Sequence, residues 1–118
     1  MSIQTQLFTL LSTGSTGAGA RVYPLTATDN AVTPYITYQR ISTNSENVMS
    51  GSSGLANTRL QIDVYADTYL LANTVADQVD NLLNAWAVTN VSVSVQDLYE
   101  DAVKLYRVSM DFSIWHDW

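Results

Sequence analysis

The residues able to do chemistry are few, and their spacing argues against most of it. His116 is the single histidine in the 118-residue chain. It is the one side chain whose ordinary pKa would let it serve as a base near neutral pH. A Ser/His/Asp site would have to be built on it. It stands among Trp115, Asp117 and Trp118 at the end of the chain. Catalytic groups must be held to within about half an ångström by packed neighbours. A histidine there meets that demand only if the tail is docked. The densest carboxylate group is Asp97, Glu100 and Asp101. A calcium loop needs more oxygen ligands at regular spacing and a tight glycine turn, so a solvated acidic turn is the expectation. Asp63 and Asp111 could form an acid/base pair if burial split their pKa values. On neighbouring strands, however, Asp63 can meet Arg107 and Asp111 can meet Arg59, and such cross-strand ion pairs are the simpler outcome.

Gly14, Gly17 and Gly19 fall in a stretch, GSTGAG, that suggests a phosphate cradle. Dinucleotide fingerprints follow a strand and open a helix. Here the glycines follow a helical pattern and precede a strand, with no Lys-Ser/Thr pair after them, so they read as a flexible connector. The chain has no cysteine, which removes disulfides, thiolate nucleophiles and cysteine-ligated zinc. A lone histidine cannot make a multi-histidine metal site without a partner subunit. Neither enzyme activity, nor a cofactor, nor a metal is expected.

Charge narrows the partners. The formal net charge is −6, and the five cations, Arg21, Arg40, Arg59, Lys104 and Arg107, are scattered. Nucleic-acid affinity needs several phosphate-neutralising cations on one surface, so tight DNA or RNA binding is not expected. An anionic membrane would repel the chain for the same reason. No stretch approaches the roughly 18–20 apolar residues of a membrane span, and the first fifteen residues lack the basic region of a signal peptide.

The elements that must position these residues follow from periodicity. Ile3, Leu7, Leu10 and Leu11 recur at helical spacing and predict a helix over 3–12, with Ser2 as its cap. Residues 21–23 predict a brief strand ended by Pro24. YITYQRIS, 35–42, is rich in β-branched and aromatic residues and predicts a strand. Residues 44–57, rich in Ser, Gly and Asn, read as a long flexible loop. From Arg59 to Ala66 the chain alternates, with Leu60, Ile62, Val64 and Ala66 on one face. A main helix is predicted over 69–86, capped by Asp67 or Thr68, with Leu71, Val75, Val79, Leu82 and Trp86 as its apolar stripe and Ala72, Ala76 and Leu83 beside it. Val91, Val93 and Val95 alternate with polar residues as another strand. A turn or bulge over 97–103 leads to the last strand, which ends near Trp115. The order α-β-β-β-α-β-β implies one α+β domain over 1–118. Its sheet is mostly antiparallel, and both helices pack on one face.

Large apolar side chains then stand where structure is weakest. Trp115 and Trp118 close the chain, and Val48, Met49 and Leu55 punctuate the polar segment. Tryptophan is enriched at binding hot spots. Asn47, Val48, Met49, Leu55, Trp115, His116 and Trp118 are therefore the expected interface with a partner.

Several stretches together carry a resemblance: VYPL (22–25), PYITYQRIS (34–42), SGLANTRLQIDVYADTY (53–69), TVADQV (74–79) and LYRVSMDFSIWH (105–116). In this order they resemble the small tail-completion proteins of long-tailed bacteriophages. The series R-x-Q-I-D-V-Y-A and the closing D-F-x-x-W-H are its most specific parts. The resemblance implies a structural virion-assembly protein, not an enzyme. Such a protein caps the tail tube as a ring, in many cases a hexamer, and forms the surface that joins tail to head. The implied partners are copies of itself, the tail-tube protein and a head-closure or connector protein. Genomic DNA would pass through the lumen without specific binding. The implied location is the tail–neck region of the virion, reached from the host cytoplasm during assembly. A head-closure or connector protein is the neighbouring alternative, and a small ligand-binding domain is the alternative of a different class.

Overall fold

The computed structural model describes residues 3–14, 16–19, 21–25, 32–48, 51–86, 88–102 and 104–117. The elements are α1 (Ile3–Thr13), β1 (Val22–Pro24), β2 (Tyr35–Val48), β3 (Gly51–Ala66), α2 (Tyr69–Ala85), β4 (Asn90–Glu100) and β5 (Leu105–Asp117). The five strands form one sheet in the order β1-β2-β3-β5-β4. Every pairing is antiparallel except β1 with β2. The predicted element order and fold class hold.

β3 and β5 lie at the centre. Their register sets Leu60 opposite Phe112, Ile62 opposite Met110 and Val64 opposite Val108. Successive strand residues point to opposite faces, so these six share a face, and all are essentially fully buried. They join Ile3, Leu7 and Leu11 of α1 and Ala72, Val75, Val79 and Leu83 of α2 in one core cluster. Both helices therefore cover the same side of the sheet. Thr68 caps α2: its hydroxyl oxygen accepts from the Leu71 backbone N–H at 3.1 Å, satisfying a donor that the helix cannot. At the other end the Asn90 side-chain amide donates to the carbonyls of Leu83 (3.0 Å) and Val88 (2.8 Å).

Four expectations need correction. Asp97 and Glu100, read as part of a turn or bulge over 97–103, belong to β4, which stays paired with β5 as far as Glu100 with Leu105. The segment 44–57 is not a loop in backbone terms. Asn44 pairs with Asn57 and Val48 with Gly51, so it is the far end of a long hairpin. Its polar composition is poor for strands. Yet β3 has a partner on both sides there, since Leu55 also pairs with Asp117 of β5, and ladder hydrogen bonds outweigh weak β propensity. The hairpin helps to stretch the molecule to 52 × 26 × 23 Å. The buried stripe of α2 is also rotated from the expected one. Ala72, Val75, Ala76, Val79 and Leu83 are buried, while Leu71, Leu82 and Trp86 pack at its margin. The small alanines let the helix axis approach the sheet.

Fourth, the connector after α1 is docked. The Gly17 N–H donates to Gln78 Oε1 of α2 at 2.7 Å, and Thr16 and Ala18 are buried. A Cβ on Gly14 would collide with the Leu82 side chain and lie 2.8 Å from the Leu10 carbonyl oxygen. Glycine at this position lets α1 and α2 close together.

Candidate assembly surfaces

The predicted interface residues come from two distant stretches, and the sheet brings the described ones together. Asn47 pairs with Ser52. Leu55 pairs with Asp117, Ala56 with His116 and Asn57 with Trp115. The hairpin and the end of β5 thus share one end of the sheet. For Asn47, Val48 and Leu55 only the backbone is described; Met49 and Trp118 lie outside the described residues. The end of the last strand is held by specific bonds. The Trp115 backbone N–H donates to the Thr89 carbonyl at 2.9 Å. His116 Nε2 lies 2.6 Å from the Thr58 hydroxyl, which in turn lies 2.9 Å from the Thr43 hydroxyl. Trp115 and His116 are both half-buried.

The face opposite the helices carries the charges. Arg59 and Asp111 form a two-pronged ion pair, with Arg59 Nε donating to Asp111 Oδ1 at 3.2 Å. Arg107 donates to Glu100 (2.7 Å) and to Asp63 (3.3 Å). Gln61 also donates to Asp63, at 3.0 Å. Both expected cross-strand ion pairs are present, so Asp63 and Asp111 serve arginines rather than each other. Asp63 is buried, and a carboxylate without a counter-charge there would be costly.

Tyrosines line the same face. The Tyr35 and Tyr65 rings stack with centroids 4.9 Å apart, and Tyr23 meets Tyr35 edge-on. The Arg107 guanidinium carbon stands 5.7 Å from the Tyr65 ring centre. Burial pushes the Tyr65 phenol above its ordinary pKa; Arg107 pulls it back and Asp63 adds to the rise. Tyr35 is raised by burial and by Tyr23. Burial works against the Arg107 charge, but the bond to Glu100 and the charge of Asp63 overcome it and raise its pKa. No cluster of three or more potential metal ligands occurs among the described residues. No helix of the described residues is long and apolar enough to cross a membrane. On this face Arg59 and Arg107 are each paired with at least one carboxylate.

Comparison with known proteins identifies the setting. The family model described as tail completion protein gp17 matches residues 5–117. The chain belongs to this family. A chain in the virion of a native gene transfer agent particle has the same fold. Its TM-score is 0.76 at 14% identity, over 99% of this chain and 96% of that one. No curated protein matches the sequence. This tail-completion chain is therefore a structural protein of tail assembly.

Sequence reasoning missed one surface of this tail-completion protein. Val91, Val93 and Val95 were placed on one face of an ordinary strand. A bulge between Ser92 and Ser94 breaks that register, and all three valines are about half exposed. One signal was available: β4 carries polar residues at every alternate position and no large aliphatic residue other than valine before Leu98.

Proposed function

We propose that this protein closes the tail tube as a subunit of a hexameric ring and presents the surface that joins tail to head. The observation that carries this reading is the tail-completion family match over almost the whole chain, residues 5–117. The sheet end fits the role. Its backbone pairing sets Asn47, Val48 and Leu55 at the same end as Trp115 and His116, and to these we add Met49 and Trp118, which lie outside the described residues. These residues contact a neighbouring subunit or the tail tube, and a head-closure or connector protein takes the other side of the ring. The protein works in the tail–neck region after assembly in the host cytoplasm. The net charge of −6 suits a lumen through which DNA must slide, because carboxylates repel phosphates.

Electron microscopy of particles made without this gene tests the reading. Filled heads beside detached tails with tubes of abnormal length are expected. Heads that have leaked their DNA would assign the protein to head closure instead. Normal infectious particles would remove the assembly role.

A further inference from the structure

Most of the described large hydrophobics that remain exposed belong to, or adjoin in sequence or contact, the outer strands of the sheet. On one side are Val91, Val93, Val95 and Tyr99 of β4, with Tyr69 and Leu70 at the start of α2. Tyr69 is tied to that side by its hydroxyl, which donates to Asp97 of β4 at 2.7 Å. On the other side are Ile41 of β2, Phe8 packed near Tyr38 of β2, Leu25 just after β1, and Val32 ahead of β2. None lies on β3 or β5 among the described residues. A monomer would spread isolated apolar residues over its surface; two opposed apolar sides are a signature of association.

Both sides also expose backbone. β4 is the last strand of the sheet. At the other edge β1 covers only Ile36, Thr37 and Tyr38 of β2. Beyond them, among the described residues, β2 continues to Val48 with a strand partner on one side only. Unpaired ladder groups are templates for another strand. We propose that these two edges are the halves of one head-to-tail contact: β4 of one copy adds to the free edge of β2, residues 39–48, of the next. This rests on the ring reading above and names its subunit interface.

Strand direction, register and charge all fit a second copy. β2 is antiparallel to β3, β3 to β5 and β5 to β4, so β4 runs opposite to β2. Copies related by rotation about an axis along the strands therefore meet β4 to β2 in antiparallel fashion. That contact is heterologous, the kind that closes rings. β1 blocks the rungs of Ile36 to Tyr38, so the incoming β4 must slide along β2. Asp97 shares its rung with Val108, Val64 and Ile36. A slide of about four residues, the kind of stagger that closed sheets require, brings Asp97 opposite Arg40. Both lie on the helix side of the sheet. Arg40 is exposed and makes no ion pair among the described residues. Among the described residues Asp97 accepts from the Tyr69 hydroxyl and makes no ion pair. Because β2 bulges at Ile41, between Arg40 and Ser42, the next rung sets Gln96 opposite Ser42 on the other face.

The absence of cysteine makes the test clean. Gln96→Cys and Ser42→Cys would be combined in one chain. Facing residues of an antiparallel pair have Cα atoms about 4.5–5.5 Å apart, within disulfide reach. Oxidation of the assembled protein, in solution or on purified tails, should give a ladder of covalent multimers ending at the closed ring; each single variant should give none beyond a dimer. Asp97→Arg should raise the concentration needed for ring formation about tenfold or more, as like charges are forced together. Adding Arg40→Asp should restore it. Thermal unfolding of the monomer should be unchanged throughout, because both positions are exposed. Rings that form without the ladder would overturn the edge contact while leaving the ring reading intact. Efficient dimerisation of the Gln96→Cys single variant would mean two-fold β4–β4 pairing and would overturn it too. Wild-type protein found as single copies on purified tails would overturn both readings.

Discussion

β3 and β4 are both alternating strands of the same sheet, yet one is the core and the other is surface. β3 has a partner on each side. Its helix-side residues Leu60, Ile62 and Val64 are fully buried, and even Asp63 on its opposite face is covered. β4 has one partner, and no residue in it is fully buried. α2 packs chiefly over β3 and β5 and meets β4 at its two ends, through Tyr69 with Asp97 and Leu83 with Asn90. Alternation of apolar and polar residues therefore identifies a strand without saying what covers its apolar face. Coverage depends on place in the sheet order. In this protein the centre holds the fold, and the edge is free for assembly.

Truncation at the centre should have the largest effect. Phe112→Ala, at the rung of Leu60, should lower stability by about 3–5 kcal/mol. Val95→Ala on β4 should stay within about 0.5 kcal/mol. Chemical denaturation of the two variants side by side measures the contrast, and equal losses would break it. Asp63→Ala should cost about 2 kcal/mol, because Arg107 keeps Glu100 but loses its buried partner; calorimetry would show this. Thr68→Ala should cost about 1 kcal/mol through loss of the α2 cap, read from the same denaturation curves.

The smallest effect concerns pH. Tyr35 and Tyr65 have phenols raised above the ordinary value of about 10. The folded state holds these protons more tightly than the unfolded chain does. Their contribution is therefore complete below the unfolded pKa and lost as pH rises through the folded one. Absorbance titration should show these two tyrosines ionising late.

Much of the centre was legible because local pattern and tertiary role agree there. The alternation from Arg59 to Ala66, the periodicity of α2 and the element order all survive in the structure. The pairings of Arg59 with Asp111 and Asp63 with Arg107 were also foreseeable once the two strands were taken as neighbours. The rest depended on partners that a linear pattern does not display. The strand character of residues 44–57 comes from β5 as much as from their own types. The rotated face of α2 comes from close approach at Ala72 and Ala76. The bulge at Val93 moves Val95 to the opposite face from Val91, and no residue type announces it. For the candidate surface, the hairpin and the chain end could each be suspected. Their meeting at one end of the sheet, through Asn57 with Trp115 and Ala56 with His116, required the strand order.

The division between a structural centre and an assembling edge is tested most directly in its parent genome. Val93→Lys and Val95→Lys would be introduced together and the particles imaged, with the purified variant checked for unchanged unfolding. A folded protein that leaves filled heads and detached tails is the expected result. Intact particles in normal yield would contradict it.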